Sequence, residues 1–317
     1  MDEIGEERKI TKTHKQSFIV IRVGNDMIVS GLRRSGYSVI EPYHGNNLSL
    51  RIFRELWFRL KLPGRSLWYN KTILKMDPKL IIIFDPLITR DYLMWLLKRK
   101  CNSKINFFYN NMVGKARHIR PDQIPSGINK WTFDPQDSRK YKLKRNGRIY
   151  YCPEFCLPKH HEPEFDVLYV GRDKGRAEYI LSLEREFNRL GLKTYFHIVG
   201  DTRFETKRKA FYKPAIDYNV ICEFIAKSKA ILNIGMENQE GITIRDTEAL
   251  FNKVKLITTN THVSEYDFYD ARNIFVLGQR DLAELPDFLK EPFAEIPEHI
   301  RERYTLDLWL EEFIVYN

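Results

Sequence analysis

The chain has 317 residues, more than one hydrophobic core usually serves, so we expect two domains. Its hydrophobic content of 43% and aromatic content of 13% exclude a disordered protein. No apolar run is long enough to cross a membrane, and the charged segment 1–16 lacks the apolar core of a signal peptide, so we expect a cytoplasmic protein.

The net charge of +10 is unevenly distributed along the chain. Residues 1–150 contain 30 Lys and Arg against 13 Asp and Glu, whereas residues 151–317 contain 22 against 29. This asymmetry predicts that the first half meets an anionic partner. A membrane surface, a lipid-linked pyrophosphate acceptor and a nucleic acid all have the required charge.

Strand-like segments alternate with helix-like segments in the first half, which predicts parallel α/β units. The predicted strands are 17–23, 38–42, 80–85, 105–109 and 130–133. The predicted helices are 27–35, 48–62 and 90–100, the last capped by Thr89. We interpret the polar, basic stretch 134–148 as the exit from this first domain, residues 1–150.

The second half repeats the alternation. Its predicted strands are 166–170, 194–199, 230–234, 255–259 and 273–277, and its predicted helices are 178–190, 219–227 and 243–252. We interpret 201–217 as a loop that carries the basic cluster Lys207–Lys209. The pattern predicts a second Rossmann-like domain, 151–305, followed by a helical segment, 306–317, that could pack back on the first domain. In such a pair of domains ligands bind in a cleft between the carboxyl ends of two sheets.

The segment 240–249, EGITIRDTEA, is the richest in candidate functional groups. The start of its helix offers free N–H groups to a diphosphate, Gly241 permits close approach of the backbone, and Arg245 adds a cation. Glu248 could accept hydrogen bonds from ribose hydroxyls, and Glu240 could reach a sugar hydroxyl. The alternative is an ordinary amphipathic helix with acidic residues near its start.

A second candidate is the segment 170–176, VGRDKGR. A strand ends in Gly171, and Arg172, Lys174 and Arg176 follow before a helix. This arrangement suits pyrophosphate binding and stabilisation of a departing nucleoside diphosphate. The alternative is a solvated basic turn.

The third candidate is the segment 48–68, in which Leu50, Phe53, Trp57 and Leu60 recur near helical spacing. Its cations and aromatic rings predict a helix that lies in a membrane interface. The alternative is a core-packed helix with a basic outer face. The residues predicted to contact a membrane or acceptor are Arg51, Arg54, Trp57, Phe58, Arg59 and Lys61.

Several segments together resemble the donor-binding domain of GT-B glycosyltransferases, above all the bacterial lipopolysaccharide- and capsule-type enzymes with their spore-maturation-protein-like group. They are DVLYVGR (166–172), HIVGD (197–201), SKAILNI (228–234), EGITIRDTEALFNKVKLITTN (240–260), YDFYDARNIFVL (266–277) and WTFDPQDSRKYKL (131–143). The resemblance implies an α/β fold of two Rossmann-like domains facing each other across a cleft. It also implies a nucleotide-sugar donor, a surface-glycan acceptor, and neither a cofactor nor a metal.

The resemblance implies roles for matching residues. Glu240 and Glu248 resemble the glutamate pair of retaining enzymes, the first contacting the donor sugar and the second the ribose. Arg172 with Lys174 or Arg176 resembles the basic pair that neutralises the leaving diphosphate. The implied donor-binding residues are Gly171, Arg172, Lys174, Arg176, Gly200, Tyr218, Glu240, Gly241, Ile242, Thr243, Arg245 and Glu248.

The sequence also departs from that family. Retaining relatives often carry a His at the end of a first-domain strand, where this chain has Tyr109-Asn110-Asn111, and the basic pair is more closely spaced than usual. Retention is favoured and inversion stays open. Glu240, Arg172 and Asp85 are the predicted catalytic residues, with Asp26 and His118 as alternative acid/base groups.

Three functions compete. The first is a transferase on the inner face of the plasma membrane that moves a sugar onto a lipid-linked or growing surface glycan. The second is a nucleotide-sugar epimerase of GT-B shape, which would not need a basic first half. The third is a non-enzymatic module that binds an anionic ligand through residues 1–150. No helix-turn-helix, zinc-finger or aromatic RNA-reading motif supports it, so we expect no nucleic acid partner.

Overall fold

The structure is a computed structural model that describes residues 18–22, 27–45, 47–85, 87–114, 119–147, 149, 151–158 and 162–315. The chain forms two compact units. The first combines Met1–Gly147 with Trp309–Asn317, and the second is Arg148–Leu308. The first unit therefore contains residues from two separate stretches of the sequence.

The first unit is built on a parallel sheet in the order β2-β1-β3-β4-β5-β6. Its strands are β1 (Phe18–Ile21), β2 (Ser38–Ile40), β3 (Leu80–Phe84), β4 (Lys104–Tyr109), β5 (Asn129–Thr132) and β6 (Lys144–Arg145). Its helices are α1 (Met27–Arg34), α2 (Leu48–Arg59), α3 (Arg90–Arg99) and α4 (Pro135–Tyr141). The parallel α/β arrangement predicted from the sequence is confirmed.

The stretch 134–148 is not the simple exit that we predicted, because it contains α4 and β6. Asp134 begins α4 by accepting the N–H of Asp137 at 3.1 Å, and Pro135 occupies the first helical position. An acidic N-cap followed by proline is a strong helix-start signal. The strand β6 then adds to β5, with Lys144 opposite Trp131.

Apolar side chains cover both faces of the first sheet. One face packs Ile81, Ile83 and Phe107 against α3 residues such as Leu93. On the other face, Phe84, Phe108 and Trp131 contact Trp309 and Phe313 of the helix α11 (Leu306–Val315). Burial on both faces explains why these strands are almost continuously apolar in the sequence.

The second unit has a parallel sheet in the order β11-β10-β9-β7-β8. Its strands are β7 (Phe165–Arg172), β8 (Thr194–Val199), β9 (Ser228–Asn233), β10 (Lys255–Thr258) and β11 (Ile274–Val276). Its helices are α5 (Ala177–Arg189), α6 (Arg203–Arg208), α7 (Tyr218–Ala226), α8 (Ile244–Asn252), α9 (Leu285–Lys290) and α10 (Glu298–Glu302), before α11.

The predicted loop 201–217 is likewise partly helical, because it contains α6. Thr202 caps this helix in a reciprocal pair with Glu205: each backbone N–H bonds the other's side chain, at 3.0 and 3.1 Å. The helix is too short for its apolar periodicity to be read from the sequence. Its capping pair is the only local signal that we recognise for it.

Each sheet reverses its direction of growth at its first strand. In the second unit β7 lies between β8 and β9. The chain therefore leaves β7 and β9 side by side at the carboxyl edge of the sheet. The segment after β7 then turns to one face of the sheet and the segment after β9 turns to the other. Such a switch point leaves a crevice at the carboxyl ends of the strands, where open α/β sheets bind ligands. Most of the sequence-predicted donor residues lie at the ends of these two strands or just after them, whereas Gly200 and Tyr218 follow β8.

Within the described ranges, no helix combines the length and hydropathy needed to span a bilayer. A search of the same residues finds no group of His, Cys, Asp or Glu side chains arranged to hold a metal ion.

Candidate functional site

Two arginines join the segments on either side of the second unit's switch point. Arg176, the N-cap of α5, donates to the carbonyls of Ile234 and Gly235, the latter at 3.2 Å. Arg245 of α8 donates to the carbonyl of Val170 in β7 at 2.8 Å. The segments after β7 and β9 are therefore held together through side chain to backbone hydrogen bonds.

The segment after β7 carries exposed cations beside a glycine. At Gly171 a Cβ atom would lie 2.9 Å from the hydroxyl of Tyr169, so no larger residue fits without displacing that ring. Arg172 donates to the carbonyls of Gly200 and Asp201, both at 3.2 Å. Partial loss of water and then the charge of Arg176 lower the pKa of Lys174, although the carboxylate of Asp201 opposes this shift. Cations this crowded favour an anion beside them.

Asp173 occupies the start of α5 with its own carboxylate. One oxygen accepts the N–H groups of Arg176 at 2.7 Å and Ala177 at 2.5 Å, and the other accepts the hydroxyl of Tyr212 at 2.5 Å. Burial opposes ionisation, but these hydrogen bonds outweigh it and lower the pKa of Asp173. Since these N–H groups are already bonded, an anion in this crevice would meet the side chains of Arg172 and Lys174.

Close packing explains why residue 200 is a glycine. A Cβ atom at Gly200 would lie 2.7 Å from the backbone nitrogen of Thr206 in α6. Because backbone cannot move aside cheaply, glycine is required for α6 to pack against the end of β8. Nothing in this contact involves a ligand.

A buried network centres on Glu248. Its side chain is fully buried; one carboxylate oxygen accepts the hydroxyl of Tyr218 at 2.8 Å, and the other pairs with Arg245. Burial, followed by the charge of Glu248, raises the pKa of Tyr218. The ring of Tyr218, at the start of α7, lies edge-on to Phe155 at 5.0 Å. A ligand hydroxyl therefore reaches Glu248 only if Tyr218 or Arg245 moves.

The start of α8 is closed by a polar group that sequence reasoning missed. Asp246 accepts the N–H and hydroxyl of Thr243 at 2.7 and 3.0 Å, and the side-chain amide of Asn233 at 2.8 Å. Burial raises the pKa of Asp246 to about 6. The Thr-x-x-Asp spacing was the available signal, because it matches a capping box.

The backbone of the segment that enters α8 is held by the side chains of Gln239, Asn260 and Tyr266. Glu240 is half-buried, and its carbonyl accepts the side-chain amide of Asn260 at 3.1 Å. The carbonyl of Gly241 accepts the amide of Gln239 at 3.2 Å, and the N–H of Ile242 lies 3.4 Å from the hydroxyl of Tyr266. Ile242 is fully buried in the core and anchors the segment.

The third predicted catalytic residue, Asp85, belongs to the first unit. It follows β3 and is buried, and its carboxylate accepts the backbone N–H of Asn110 at 2.7 Å. This bond joins the carboxyl ends of β3 and β4. The alternative acid/base groups, Asp26 and His118, lie outside the described residues.

The predicted membrane-contacting residues do not share one surface. Arg51, Arg59 and Lys61 are exposed and Trp57 is partly exposed, but Arg54 is buried. The guanidinium of Arg54 donates to the carbonyl of His44 at 3.0 Å and lies 4.8 Å from the ring centre of Tyr43. Phe58 packs against the same ring at 5.4 Å. Arg54 and Phe58 therefore contact the first core, which corrects their predicted place on the surface.

No family model and no curated protein matches the sequence. Solved structures do. The DNA-modifying enzyme β-glucosyltransferase, studied with and without UDP-glucose, matches with a TM-score of 0.51 and 16% identity over 93% of this chain and 98% of its own. HepE of Anabaena, in complex with UDP and glucose, matches with a TM-score of 0.50 and 12% identity over 97% and 93%.

A third match is the UDP-GlcNAc 2-epimerase of Methanocaldococcus jannaschii, with a TM-score of 0.43 and 14% identity over 95% and 99% of the two chains. At such identities the first two matches establish architecture alone. Together with the two parallel sheets, they show that the chain has the two-domain, Rossmann-like architecture of the GT-B fold.

Proposed function

We propose that this chain is a glycosyltransferase that moves a sugar from a nucleoside-diphosphate sugar onto a lipid-linked or growing surface glycan, such as lipopolysaccharide, capsule or exopolysaccharide. The observation that supports the proposal is that Arg176 and Arg245 bond across the switch point of the second sheet and so bring the segments 170–176 and 234–245 together. The two structures with the higher TM-scores are described with UDP or UDP-glucose, which agrees with such a donor.

The proposed roles follow from charge and position. Arg172 and Lys174 would neutralise the diphosphate that leaves with the bonding electrons, so that no metal is needed. Glu240 would contact the transferred sugar. Asp85 is the proposed acid/base residue for the attacking hydroxyl, and retention of anomeric configuration stays a prediction.

The acceptor and the location belong to the same proposal. The excess of Lys and Arg in residues 1–150 supports an anionic acceptor at the inner face of the plasma membrane. A nucleic acid acceptor, which no sequence motif favours, is the alternative to be tested, because β-glucosyltransferase is described as a DNA-modifying enzyme. Liposome flotation and a DNA shift assay separate the two.

The test of the donor site is thermal stabilisation by UDP, GDP, dTDP, CMP and their sugars. A ligand that binds only the folded state raises the melting temperature, so one diphosphate should stabilise the protein and thereby identify the base. Glu248→Ala should raise the dissociation constant of that ligand at least about tenfold. Because this variant leaves Arg245 without its partner, Glu248→Gln serves as a better-folded second variant.

The matched control is Glu265→Gln, which changes an exposed glutamate paired with His262 in the same unit and should leave affinity unchanged. Tyr218→Phe tests whether a ribose hydroxyl replaces the hydroxyl of Tyr218 at Glu248 or binds while Tyr218 stays bonded to it. If a ribose hydroxyl replaces the hydrogen bond of Tyr218, this variant binds as well as the parent or better. Normal affinity in both folded Glu248 variants overturns the ribose assignment, and no stabilisation by any nucleotide overturns the donor site.

A further inference from the structure

The helix α2 presents its apolar side chains to solvent and buries an arginine. Leu48, Ile52, Leu56 and the C-cap Leu60 follow one another at every fourth position, which places them in one row along the helix. Their exposed fractions lie between 49% and 71%, whereas that of Arg54 is 2%. A surface helix of a globular protein normally has the reverse arrangement.

The orientation of α2 is fixed by contacts on its other side. Arg54 donates a charged hydrogen bond to the carbonyl of His44 and lies over the ring of Tyr43. Phe58 contacts Tyr43 on the same side, and the Asn47 side chain caps the helix by accepting the N–H of Leu50 at 2.9 Å. Rolling α2 to bury the exposed row would break the charged hydrogen bond of Arg54.

The exposed surface continues beyond the helix on a rigid aromatic support. Phe53, Trp57 and Trp68 pack edge to face, with ring centres 5.6, 5.9 and 6.3 Å apart, and the indole of Trp57 donates to the carbonyl of Pro63 at 3.0 Å. Leu67, beside Trp68, is 71% exposed. We call the row formed by Leu48, Ile52, Leu56 and Leu60 the outer apolar face.

The stretch that carries this face is rich in cations and poor in carboxylates, although Asp91 of α3 pairs with Arg65 of this stretch. Within residues 48–75 the one carboxylate is Glu55, which lies 3.7 Å from the guanidinium of Arg54. A second copy of this chain would bring like charges together, which disfavours self-association. The exposed cations of this stretch are Arg51, Arg59, Lys61, Lys71 and Lys75.

An anionic lipid surface matches both properties at once. Its phosphates attract the cations, and its acyl boundary accepts the exposed leucines, which water and nucleic acid do not. Aromatic rings such as those of Trp57 and Trp68 favour the interfacial depth between these two layers. Large exposed apolar surfaces on globular proteins commonly mark membrane or protein contacts.

We propose that the outer apolar face inserts into the boundary between headgroups and acyl chains of an anionic membrane, with α2 lying in the membrane plane. This inference deepens the membrane part of the proposed function, because it assigns binding to insertion by named leucines in addition to charge. It leaves the donor site in the second unit unaffected.

Vesicle flotation of the full chain tests the inference. We expect the parent to float with phosphatidylcholine vesicles that contain phosphatidylglycerol, and to remain partly bound in high salt. The variant Leu48→Gln/Ile52→Gln/Leu56→Gln should lower the partition coefficient at least about tenfold. Quenching of tryptophan fluorescence by brominated lipid should fall with it. The matched control, Leu157→Gln/Ile314→Gln, removes two exposed apolar side chains elsewhere and should bind like the parent.

Three outcomes overturn the inference. The triple variant could bind like the parent, which would reduce membrane binding to charge alone. The parent could fail to float and instead self-associate through this face, or shift DNA while ignoring vesicles. Nucleotide stabilisation, measured on the same proteins, separates the two proposals: the triple variant should keep it, and its absence from the parent counts against the donor site only.

Discussion

Asp246 is a carboxyl group that accepts several hydrogen bonds but is shielded from solvent. Thr243 and Asn233 bond one of its oxygens, and no described residue bonds the other. The hydrogen bonds favour the ionised form, yet burial disfavours it more and raises the pKa to about 6. A raised pKa means that ionisation of Asp246 weakens the folded state. Stability from this group is therefore full below its ordinary pKa of 3.8 and is lost as pH rises through about 6.

Asp246→Asn should remove this pH dependence. We compare the free energy of unfolding of the variant with that of the parent at each pH. The difference should shift in favour of the variant by up to about 3 kcal/mol between about pH 4 and pH 7. Altered hydrogen bonds add a cost that is the same at every pH. Urea denaturation of both proteins across that range measures it. Asp287→Asn, at an exposed pair with Lys290, is the control. Parallel curves for Asp246→Asn and the parent would show that Asp246 ionises normally.

At the level of elements, α8 is attached to β7 by one ion-paired arginine. Arg245 bonds the carbonyl of Val170 and the carboxylate of Glu248, and its side chain is 18% exposed. Breaking a buried pair from one side leaves an uncompensated charge, whereas replacing both partners by apolar groups removes the problem. The two residues should therefore act as a unit in stability as well as in ligand binding.

Arg245→Met should lower the free energy of unfolding by about 3–5 kcal/mol. Arg245→Met/Glu248→Met should recover only part of that loss, because the hydroxyl of Tyr218 is left without its acceptor. Thermal and urea unfolding measure both variants. Lys290→Met breaks an exposed pair with Asp287 and should cost less than about 1 kcal/mol. Additive losses in the double variant would mean that the pair is not coupled.

The sequence predicts some of these elements much better than others. Strands such as β3 are unbroken apolar runs because both of their faces are buried, and their positions were predicted to within a residue or two. The helices α4 and α6 are short and polar, so periodicity does not reveal them. The helix α2 carries two apolar rows that share Leu60, one through Phe53 and Trp57 and one through Leu48 and Leu56. Periodicity does not reveal that the core contacts of α2 come from Arg54 and Phe58, which belong to neither row.

The site shows the same division. Glycine and charge patterns indicated the segments after β7 and β9 as candidates. Both the residue types and the end of each strand can be read from a short stretch of sequence, and open α/β sheets bind ligands at the carboxyl ends of their strands. Arg172, Arg176 and Arg245 each bond a backbone carbonyl of a distant segment, and the sequence gives no sign of these three contacts. Arg245, which pairs with Glu248, lies three residues earlier in the same helix, whereas Tyr218 belongs to α7. The bond from Tyr218 therefore depends on the position of another element.

At the level of the whole molecule, the first unit is completed by residues that follow the second unit in the sequence. Trp309 and Phe313 are fully buried in the first unit, and the side-chain amide of Asn146 donates to the carbonyl of Trp309 at 3.0 Å. The proposed donor residues Arg172, Glu240 and Glu248 belong to the other unit. Stability of the first unit and nucleotide binding should therefore be separable.

Trp309→Ala should destabilise the first unit by about 3–5 kcal/mol, since it empties a large site among Phe84, Phe108 and Phe313. Scanning calorimetry of the full chain should show an unfolding transition at a lower temperature. Titration calorimetry should show an unchanged nucleotide affinity. Ile314→Ala, at an exposed position of the same helix, should cost less than about 1 kcal/mol. A large loss of nucleotide affinity in Trp309→Ala would contradict this separation.

The late position of α11 has a consequence for how the protein is made. During translation β1 to β6 emerge from the ribosome long before Trp309 and Phe313, which cover Phe84, Phe108 and Trp131. At about 5–20 residues per second, synthesis of Arg148–Leu308 leaves that apolar face of the nascent chain without its cover for roughly 10–30 s. We therefore expect the first unit to depend on chaperones during translation more than the second unit, which is continuous in sequence.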